Sequence, residues 1–238
     1  MEVVGRQTEV AQVTRFLERG TGALILDGDA GVGKTTVWLA GLERARERGL
    51  RTLVARAAET EAQLPYASLA DLIEPVAEEA LRLMPLPQRR ALEVALFRRE
   101  PASTWDGRGV ASATLTALKS LSIDAPLLVA IDDTQWVDHS SADALGFALR
   151  RGLGNNLRLL GTERGALREI IWLRLGLDLR RKAVLDVAAR SAGTRFSLSS
   201  SHAMVVCSPT PMHRYRSRSR HCSRIGWETL LATCETRC

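Results

Sequence analysis

The segment GDAGVGKT, Gly28 to Thr35, constrains the fold of this chain more than any other feature. It has the spacing GxxxxGK[ST], in which glycines let the backbone curl and present its N–H groups to an anion. An apolar run, Gly22–Gly28, precedes the loop, and apolar residues at helical spacing follow it between Lys34 and Arg48. This order of strand, glycine loop and helix predicts a phosphate-binding loop in an α/β domain.

The rest of the N-terminal two thirds alternates between helical patterns and apolar runs. We predict strands at Arg51–Ala57, 125–133 and Leu157–Thr162, and helices at 67–83 (with a kink at Pro75), 88–99, 109–121 and 140–151. Fully apolar strands that alternate with helices are typical of a parallel sheet buried on both sides. The predicted fold class is therefore a three-layer α/β P-loop NTPase, with a mainly parallel sheet covered by helices on both faces.

The glycine loop predicts ATP with Mg²⁺ as the ligands. The ammonium of Lys34 would reach the β- and γ-phosphates and the Thr35 hydroxyl would coordinate Mg²⁺, so Lys34 is a candidate for both binding and catalysis. The candidate nucleotide-binding residues of the loop are Gly28, Asp29, Ala30, Gly31, Val32, Gly33, Lys34, Thr35 and Thr36.

A pair of carboxylates follows a second apolar strand. Asp132 and Asp133 come directly after Leu127–Ile131, and Asp132 lies 98 positions beyond Lys34. Because the carboxyl ends of parallel strands share one edge of the sheet, both should lie near the glycine loop. We predict Asp132 as the second Mg²⁺ ligand and Asp133 as the residue that orients or deprotonates the attacking water.

Charge and cysteine divide the chain in two. Residues 191–238 hold seven Arg, no Lys and two acidic residues, whereas residues 1–190 hold 26 basic and 25 acidic residues. All four cysteines (Cys207, Cys222, Cys234 and Cys238) lie in this tail, with no CxxC pair to indicate a zinc site. The interpretation is an ATPase domain at 1–165, a remnant of its end at 166–190, and a tail that is either a disordered basic arm or an out-of-frame translation.

Four segments together resemble one family: VGRQTE (Val4–Glu9), the glycine loop, LLVAIDDTQWVD (Leu127–Asp138) and LRLLGTER (Leu157–Arg164). They are similar to the Orc1-like AAA/STAND ATPase domain at the N-terminus of large LuxR-type transcriptional regulators. The resemblance implies that Val4, Gly5 and Arg6 line the adenine side of the site. It also implies that the strand end near Thr162–Arg164 occupies the sensor position facing the γ-phosphate, with Arg164 as the candidate nucleotide-binding residue. It also implies a fifth strand, for which Val184–Arg190 is the candidate remnant.

The family continues into a lid, a sensor region and a C-terminal helix-turn-helix that binds DNA, and none of these is legible in this sequence. The resemblance therefore implies a switch domain that binds ATP and ADP, hydrolyses ATP slowly and could self-associate. No stretch approaches the roughly 18 apolar residues of a membrane span, so a cytoplasmic protein without a membrane partner is expected.

Two other functions stay open from the sequence. The basic tail could bind nucleic acid without sequence specificity, with an affinity that falls steeply with salt. The chain could also be a small P-loop kinase, in which the arginines at positions 89, 90, 98, 99 and 108 belong to a lid.

Overall fold

The apolar runs of the sequence form the strands of one parallel sheet. The computed structural model describes residues 5–19, 22–82, 84–101, 107–153 and 156–164, together with the backbone of 182–186. The strands are β1 (Gly22–Asp27), β2 (Arg51–Arg56), β3 (Leu127–Asp132), β4 (Leu157–Glu163) and β5 (Lys182–Asp186). Their order in space is β2-β3-β4-β1-β5, and all four neighbouring pairs are parallel.

Helices provide the crossovers that parallel strands require. They are α1 (Gln7–Arg19), α2 (Lys34–Glu47), α3 (Ala67–Ile73), α4 (Ala77–Arg82), α5 (Leu86–Ala95), α6 (Gly107–Leu121) and α7 (His139–Gly152). Short 3₁₀ segments lie at Glu59–Glu61, Glu74–Val76 and Thr134–Trp136. The helix predicted over 67–83 is thus two helices, because Pro75 lies in the 3₁₀ segment that separates α3 from α4.

Side chains of each strand alternate between two hydrophobic cores, one on each face of the sheet. Leu24 and Leu26 of β1 pack with α1 and α2, where Trp38 is fully buried. Ala23 and Ile25 pack on the opposite face with α3 to α7. A fully buried leucine such as Leu26 stabilises the fold by about 1.5–3 kcal/mol. The predicted fold class, a parallel sheet covered by helices on both faces, is confirmed.

An ion pair attaches the edge strand β2 to the helical layer. Arg51 donates to both carboxylate oxygens of Glu79 in α4, each at 2.6 Å. These two hydrogen bonds lower the pKa of the Glu79 carboxyl. Glu79 and Arg51 are both partly exposed, so the pair orients α4 more than it stabilises the domain.

The fifth strand extends the sheet beyond residue 165. It lies at Lys182–Asp186 and pairs with β1 from Ala23 to Asp27, two residues earlier than the start at Val184 expected from the sequence. Val4 and the tail at 191–238, with its cysteines, lie outside the described residues. Within the part that is described, no helix is long and apolar enough to cross a membrane.

Candidate functional site

The glycine loop joins β1 to α2 at the carboxyl edge of the sheet. Gly33 is the N-terminal cap of α2 and has a φ of 95°, a left-handed conformation that favours glycine. Its carbonyl accepts the N–H of Val37 at 3.2 Å, which begins the helix. No side chain caps this end of α2, and its first turn has no acidic residue. The first N–H groups of the helix are thus directed at the loop, where an anion is favoured.

Lys34, the first residue of α2, spans the mouth of the loop. Its Nζ donates to the carbonyl oxygens of Gly28 and Asp29, both at 2.7 Å. The side chain is buried, so its ammonium is held by the backbone at the position where the loop closes. A buried ammonium held in place by carbonyls can bind an anion with little loss of side-chain entropy.

A cavity of about 310 Å³ opens between the glycine loop and the ends of β3 and β4. It is lined by Ala30, Gly31, Gly33, Lys34, Thr35, Asp133 and Arg164. The structure therefore brings together residues from three of the predicted segments. The other loop candidates lie beside the cavity: Gly28 and Asp29 hold Lys34, and Thr36 is exposed on α2.

Asp132 lies beneath this cavity at the end of β3. Its Oδ1 accepts the hydroxyl of Thr35 at 3.4 Å and the hydroxyl of Thr162 at 2.5 Å. The carboxylate and the Thr35 hydroxyl, which converge from positions 97 residues apart, are hard oxygen ligands of the kind that Mg²⁺ prefers. The donor set predicted for Mg²⁺, Thr35 with Asp132, thus fits that ion.

Asp133 turns into the cavity through a left-handed backbone conformation, with a φ of 54°. Two bonds hold this turn: its N–H donates to the Thr162 hydroxyl at 2.8 Å, and Gln135 Nε2 donates to its carboxylate at 2.7 Å. A left-handed conformation is costly for a residue other than glycine and persists where the surroundings fix it. The carboxylate of Asp133 therefore has a defined position at the cavity wall.

Thr162 connects these elements in a way that the sequence analysis did not predict. It is fully buried on β4, its hydroxyl bonds both Asp132 and the Asp133 N–H, and its carbonyl accepts the Thr134 hydroxyl at 2.8 Å. Gly161 permits this approach, because a Cβ there would lie 2.9 Å from Thr134 Cγ2. The sequence carries only a weak signal for this role, because Thr162 is one of three polar residues in β4, together with Arg158 and Glu163.

Of the adenine-side candidates, the structure describes Gly5 and Arg6, and Arg6 contacts the glycine loop at Val32. Gly5 precedes α1, and the Arg6 carbonyl accepts the first helical bond from Val10 N–H at 3.0 Å. The Arg6 guanidinium donates to the Val32 carbonyl and to Glu9. A contact of Val4, Gly5 or Arg6 with a nucleotide base stays a prediction.

The last aspartate of the DDTQWVD segment is buried away from the cavity. Asp138 Oδ1 accepts the N–H groups of Tyr66 and Ser141 at 2.8 Å, and Oδ2 accepts the N–H of Ser68 at 3.1 Å. It caps α7 and the start of α3 together, and the 3₁₀ segment Thr134–Trp136 connects it to Asp133. Trp136 is partly buried and packs against the core.

Three of the five arginines considered as a kinase lid, Arg89, Arg98 and Arg99, form ion pairs with nearby glutamates. Arg98 bonds Glu74 and Glu78, and Glu93 bonds both Arg89 and Arg99. These contacts are typical of a solvated helical surface. They give the alternative of a small kinase no support.

Comparison with known proteins identifies one family. The profile of the AAA ATPase domain family matches residues 2–160. A search of curated protein sequences returns no significant match.

Several solved structures are similar in fold. Cdc6p from Pyrobaculum aerophilum is 13% identical, with 78% of this chain and 46% of that protein covered and a TM-score of 0.49. The Drosophila ORC structure bound to AT-rich DNA and Cdc6 is 10% identical (79% and 59% covered, TM-score 0.43). The Pif1 helicase from Candida albicans is 14% identical (78% and 40% covered, TM-score 0.41). This chain spans less than two thirds of the length of each.

Proposed function

The chain belongs to the AAA ATPase domain family, and from that premise we propose that it binds ATP with Mg²⁺ at the glycine loop and acts as a nucleotide-dependent switch with slow hydrolysis. The observation that carries the proposal is the approach of the Thr35 hydroxyl to the Asp132 carboxylate, 3.4 Å apart. Two oxygen ligands thereby meet beside Lys34 and the open N-terminus of α2. This combination suits a triphosphate with its divalent cation, and a glycine turn that only connects a strand to a helix does not require it.

Each residue of the site has a defined task in this proposal. The N–H groups of the loop and of the first turn of α2 bind phosphate oxygens, and Lys34 neutralises the β- and γ-phosphates. Thr35 and Asp132 hold Mg²⁺, which supplies charge neutralisation to the phosphates when bound. Asp133, fixed by Thr162 and Gln135, orients the water that attacks the γ-phosphate.

Hydrolysis is expected to be slow because few cations meet the transferring phosphoryl group. Among the residues that the structure describes, Arg164 is the one arginine that lines the cavity, and its side chain is exposed. Stabilisation of the transition state depends on such preorganised charges. A slow enzyme keeps ATP bound long enough for the nucleotide to set a conformational state.

The switch would act through Asp133 and the segment that follows it. The 3₁₀ segment Thr134–Trp136 leads from Asp133 to Asp138, which holds the N-terminus of α3. A change at Asp133 on hydrolysis would thus reach α3 through a short, hydrogen-bonded path. Differential contacts of ATP and ADP with Asp133 would then bias two arrangements of α3.

The test measures Mg·ATP affinity in the full chain for Lys34→Ala, with Lys119→Ala as the matched control. Lys119 is an exposed lysine on α6, far in sequence from the loop. Loss of one buried charged contact, worth about 1.5–3 kcal/mol, weakens binding roughly 10- to 150-fold. Wild-type affinity in Lys34→Ala would contradict the proposed site, whereas Lys119→Ala should bind normally.

We further propose that this domain is the switch of a LuxR-type transcriptional regulator. The VGRQTE and DDTQWVD segments support this finer proposal through their resemblance to that family. DNA would then be the partner of a helix-turn-helix encoded downstream. The test is to read the nucleotide sequence of the gene from about codon 185 past its stop codon in all three frames. We expect one frame to encode helical repeats and a helix-turn-helix. If no frame does so, the proposal of a transcriptional regulator is contradicted.

A further inference from the structure

We infer that Arg6 positions the phosphate-binding loop by holding the peptide between Val32 and Gly33. This inference rests on the proposed function, because it assigns Arg6 a task in binding the phosphates. The guanidinium donates one hydrogen bond to the Val32 carbonyl oxygen. It also lies against the following residue, since Arg6 Nε and Nη2 would both be 3.8 Å from a Cβ at Gly33.

Because the peptide between Val32 and Gly33 is trans, the hydrogen bond from Arg6 to the Val32 carbonyl also fixes the direction of the Gly33 N–H. The C=O and N–H of one peptide plane point in opposite directions, and the chain has no cis peptide bond among the described residues. When Arg6 holds the Val32 carbonyl on the outer side of the loop, the N–H of Gly33 points to the inner side. Gly33 lines the cavity, so this N–H is aimed where a phosphate oxygen would lie.

Arg6 acts through geometry more than through its charge. Its guanidinium also bonds Glu9 at 3.1 Å, and the side chains of Arg6 and Glu9 are only 14% and 11% exposed. The two opposite charges largely cancel at the distance of a bound phosphate. What remains is a fixed donor that selects one orientation of a flexible, glycine-flanked peptide.

Helix α1, which follows Arg6, is anchored in the hydrophobic core. Arg6 immediately precedes α1, whose Val13 and Leu17 are buried in the core between α1, α2 and the sheet. Contact between the helices is close, since a Cβ at Gly41 of α2 would lie 2.8 Å from Val13 Cγ1. A donor fixed to α1 therefore keeps its position relative to the loop and the start of α2.

A comparison of two ligands distinguishes the proposed positioning role of Arg6 from a direct contact of Arg6 with adenine. Inorganic tripolyphosphate has the phosphates of ATP but no base, so a positioning residue should affect both ligands and a base contact only ATP. The experiment measures the affinity of the full chain for Mg·ATP and Mg·tripolyphosphate in Arg6→Met and Arg6→Lys. Loss of the guanidinium should weaken both ligands by the same factor, about tenfold.

The matched control is Arg48→Met. Arg48 also pairs with a glutamate of α1, Glu18, at 3.1 Å, but it lies after the far end of α2 and not at the loop. Arg48→Met should keep wild-type affinity for both ligands. In NMR spectra, the Gly33 amide should shift on addition of tripolyphosphate in wild type and in Arg48→Met, and shift less in Arg6→Met.

The outcomes are distinct. Wild-type protein that binds neither ligand overturns the proposed function itself. Binding of both ligands by wild type, with normal tripolyphosphate affinity in Arg6→Met, overturns this inference whether or not ATP binding falls. If Arg6→Met does not fold, Arg6→Lys decides in the same way, because lysine keeps the charge but not the planar guanidinium.

Discussion

Thr162 satisfies three polar groups at the point where β4 ends, and its hydroxyl bonds both Asp132 and Asp133. The hydroxyl donates to the Asp132 carboxylate and accepts the Asp133 N–H at 2.8 Å. Since Thr162 is fully buried, water cannot replace either bond. The rotamer of one threonine therefore fixes both the expected Mg²⁺ ligand and the backbone of the expected water-orienting residue.

We predict that Thr162→Val lowers the free energy of unfolding by about 2 kcal/mol, because it leaves the part-buried N–H of Asp133 and the buried carboxylate of Asp132 without this partner. It should also reduce the part of ATP affinity that depends on Mg²⁺, measured by titration with and without the ion. Thr114→Val is the control: Thr114 is equally buried, but its hydroxyl bonds only Val110 within α6. Equal Mg²⁺ dependence in Thr162→Val and wild type would contradict this role.

At this scale the sequence predicted residues with local signals and missed those that act through tertiary contacts. The spacing of Gly28–Thr35 and the position of Asp132 after a strand are local, and the structure brings the Asp132 carboxylate within 3.4 Å of the hydroxyl of Thr35, which lines the cavity. In the sequence, Asp138 is only the last residue of the DDTQWVD segment, whereas in the structure its carboxylate accepts N–H groups about 70 positions away. Chain spacing cannot indicate such a bond, because it depends on how α3 packs against α7.

At the scale of elements, Asp138 connects the N-termini of two helices that are about 70 residues apart in the sequence. The start of α3 has no cap of its own: Tyr66 is in a left-handed conformation, and its side chain makes no capping bond. Asp138 supplies acceptors for Tyr66 and Ser68, while Ser141 Oγ accepts the N–H of Leu69 at 2.9 Å. The first turns of α3 and α7 are therefore one hydrogen-bonded unit.

Asp138→Ala should destabilise the domain by about 3 kcal/mol. It removes the cap of α7, and it leaves the N–H groups of Tyr66 and Ser68 at the start of α3 without their acceptor. Urea unfolding measures this as a lower midpoint with an unchanged slope. Asp143→Ala on the same helix is the comparison, because its carboxylate is 64% exposed and contacts only His139 at 3.5 Å. If the two variants have similar midpoints, the shared cap does not contribute as argued.

Helix boundaries differ from the sequence prediction for identifiable reasons. The helix predicted at 88–99 lies at Leu86–Ala95: Pro87 fits its first turn, and Phe97, with a φ of 57°, cannot continue it. Helix α1 was not predicted, although Val10, Val13 and Leu17 have helical spacing. The strands agree more closely, because a run buried on both faces has few alternative structures.

At the scale of the whole molecule, the order of the strands makes residues beyond 165 part of the same sheet. β1 carries the phosphate-binding loop, and β5 is its neighbour on the side away from β4. Five of the six residues of β1 are buried. Without β5, the N–H and C=O groups along one side of this apolar strand would lose their partners and form an exposed edge.

We therefore expect a chain ending at residue 165 to behave differently from one ending at residue 190. The shorter chain exposes the edge of β1, so it should unfold at a lower temperature and self-associate, because unpaired apolar strands pair with other chains. The longer chain keeps β5 and should remain monodisperse in light scattering, with the ATP affinity of the full protein. Equal stability and solubility of the two would mean that the pairing of Lys182–Asp186 with β1 contributes nothing to either property. The expected difference would instead make β5 a required support of the strand that positions the phosphate loop.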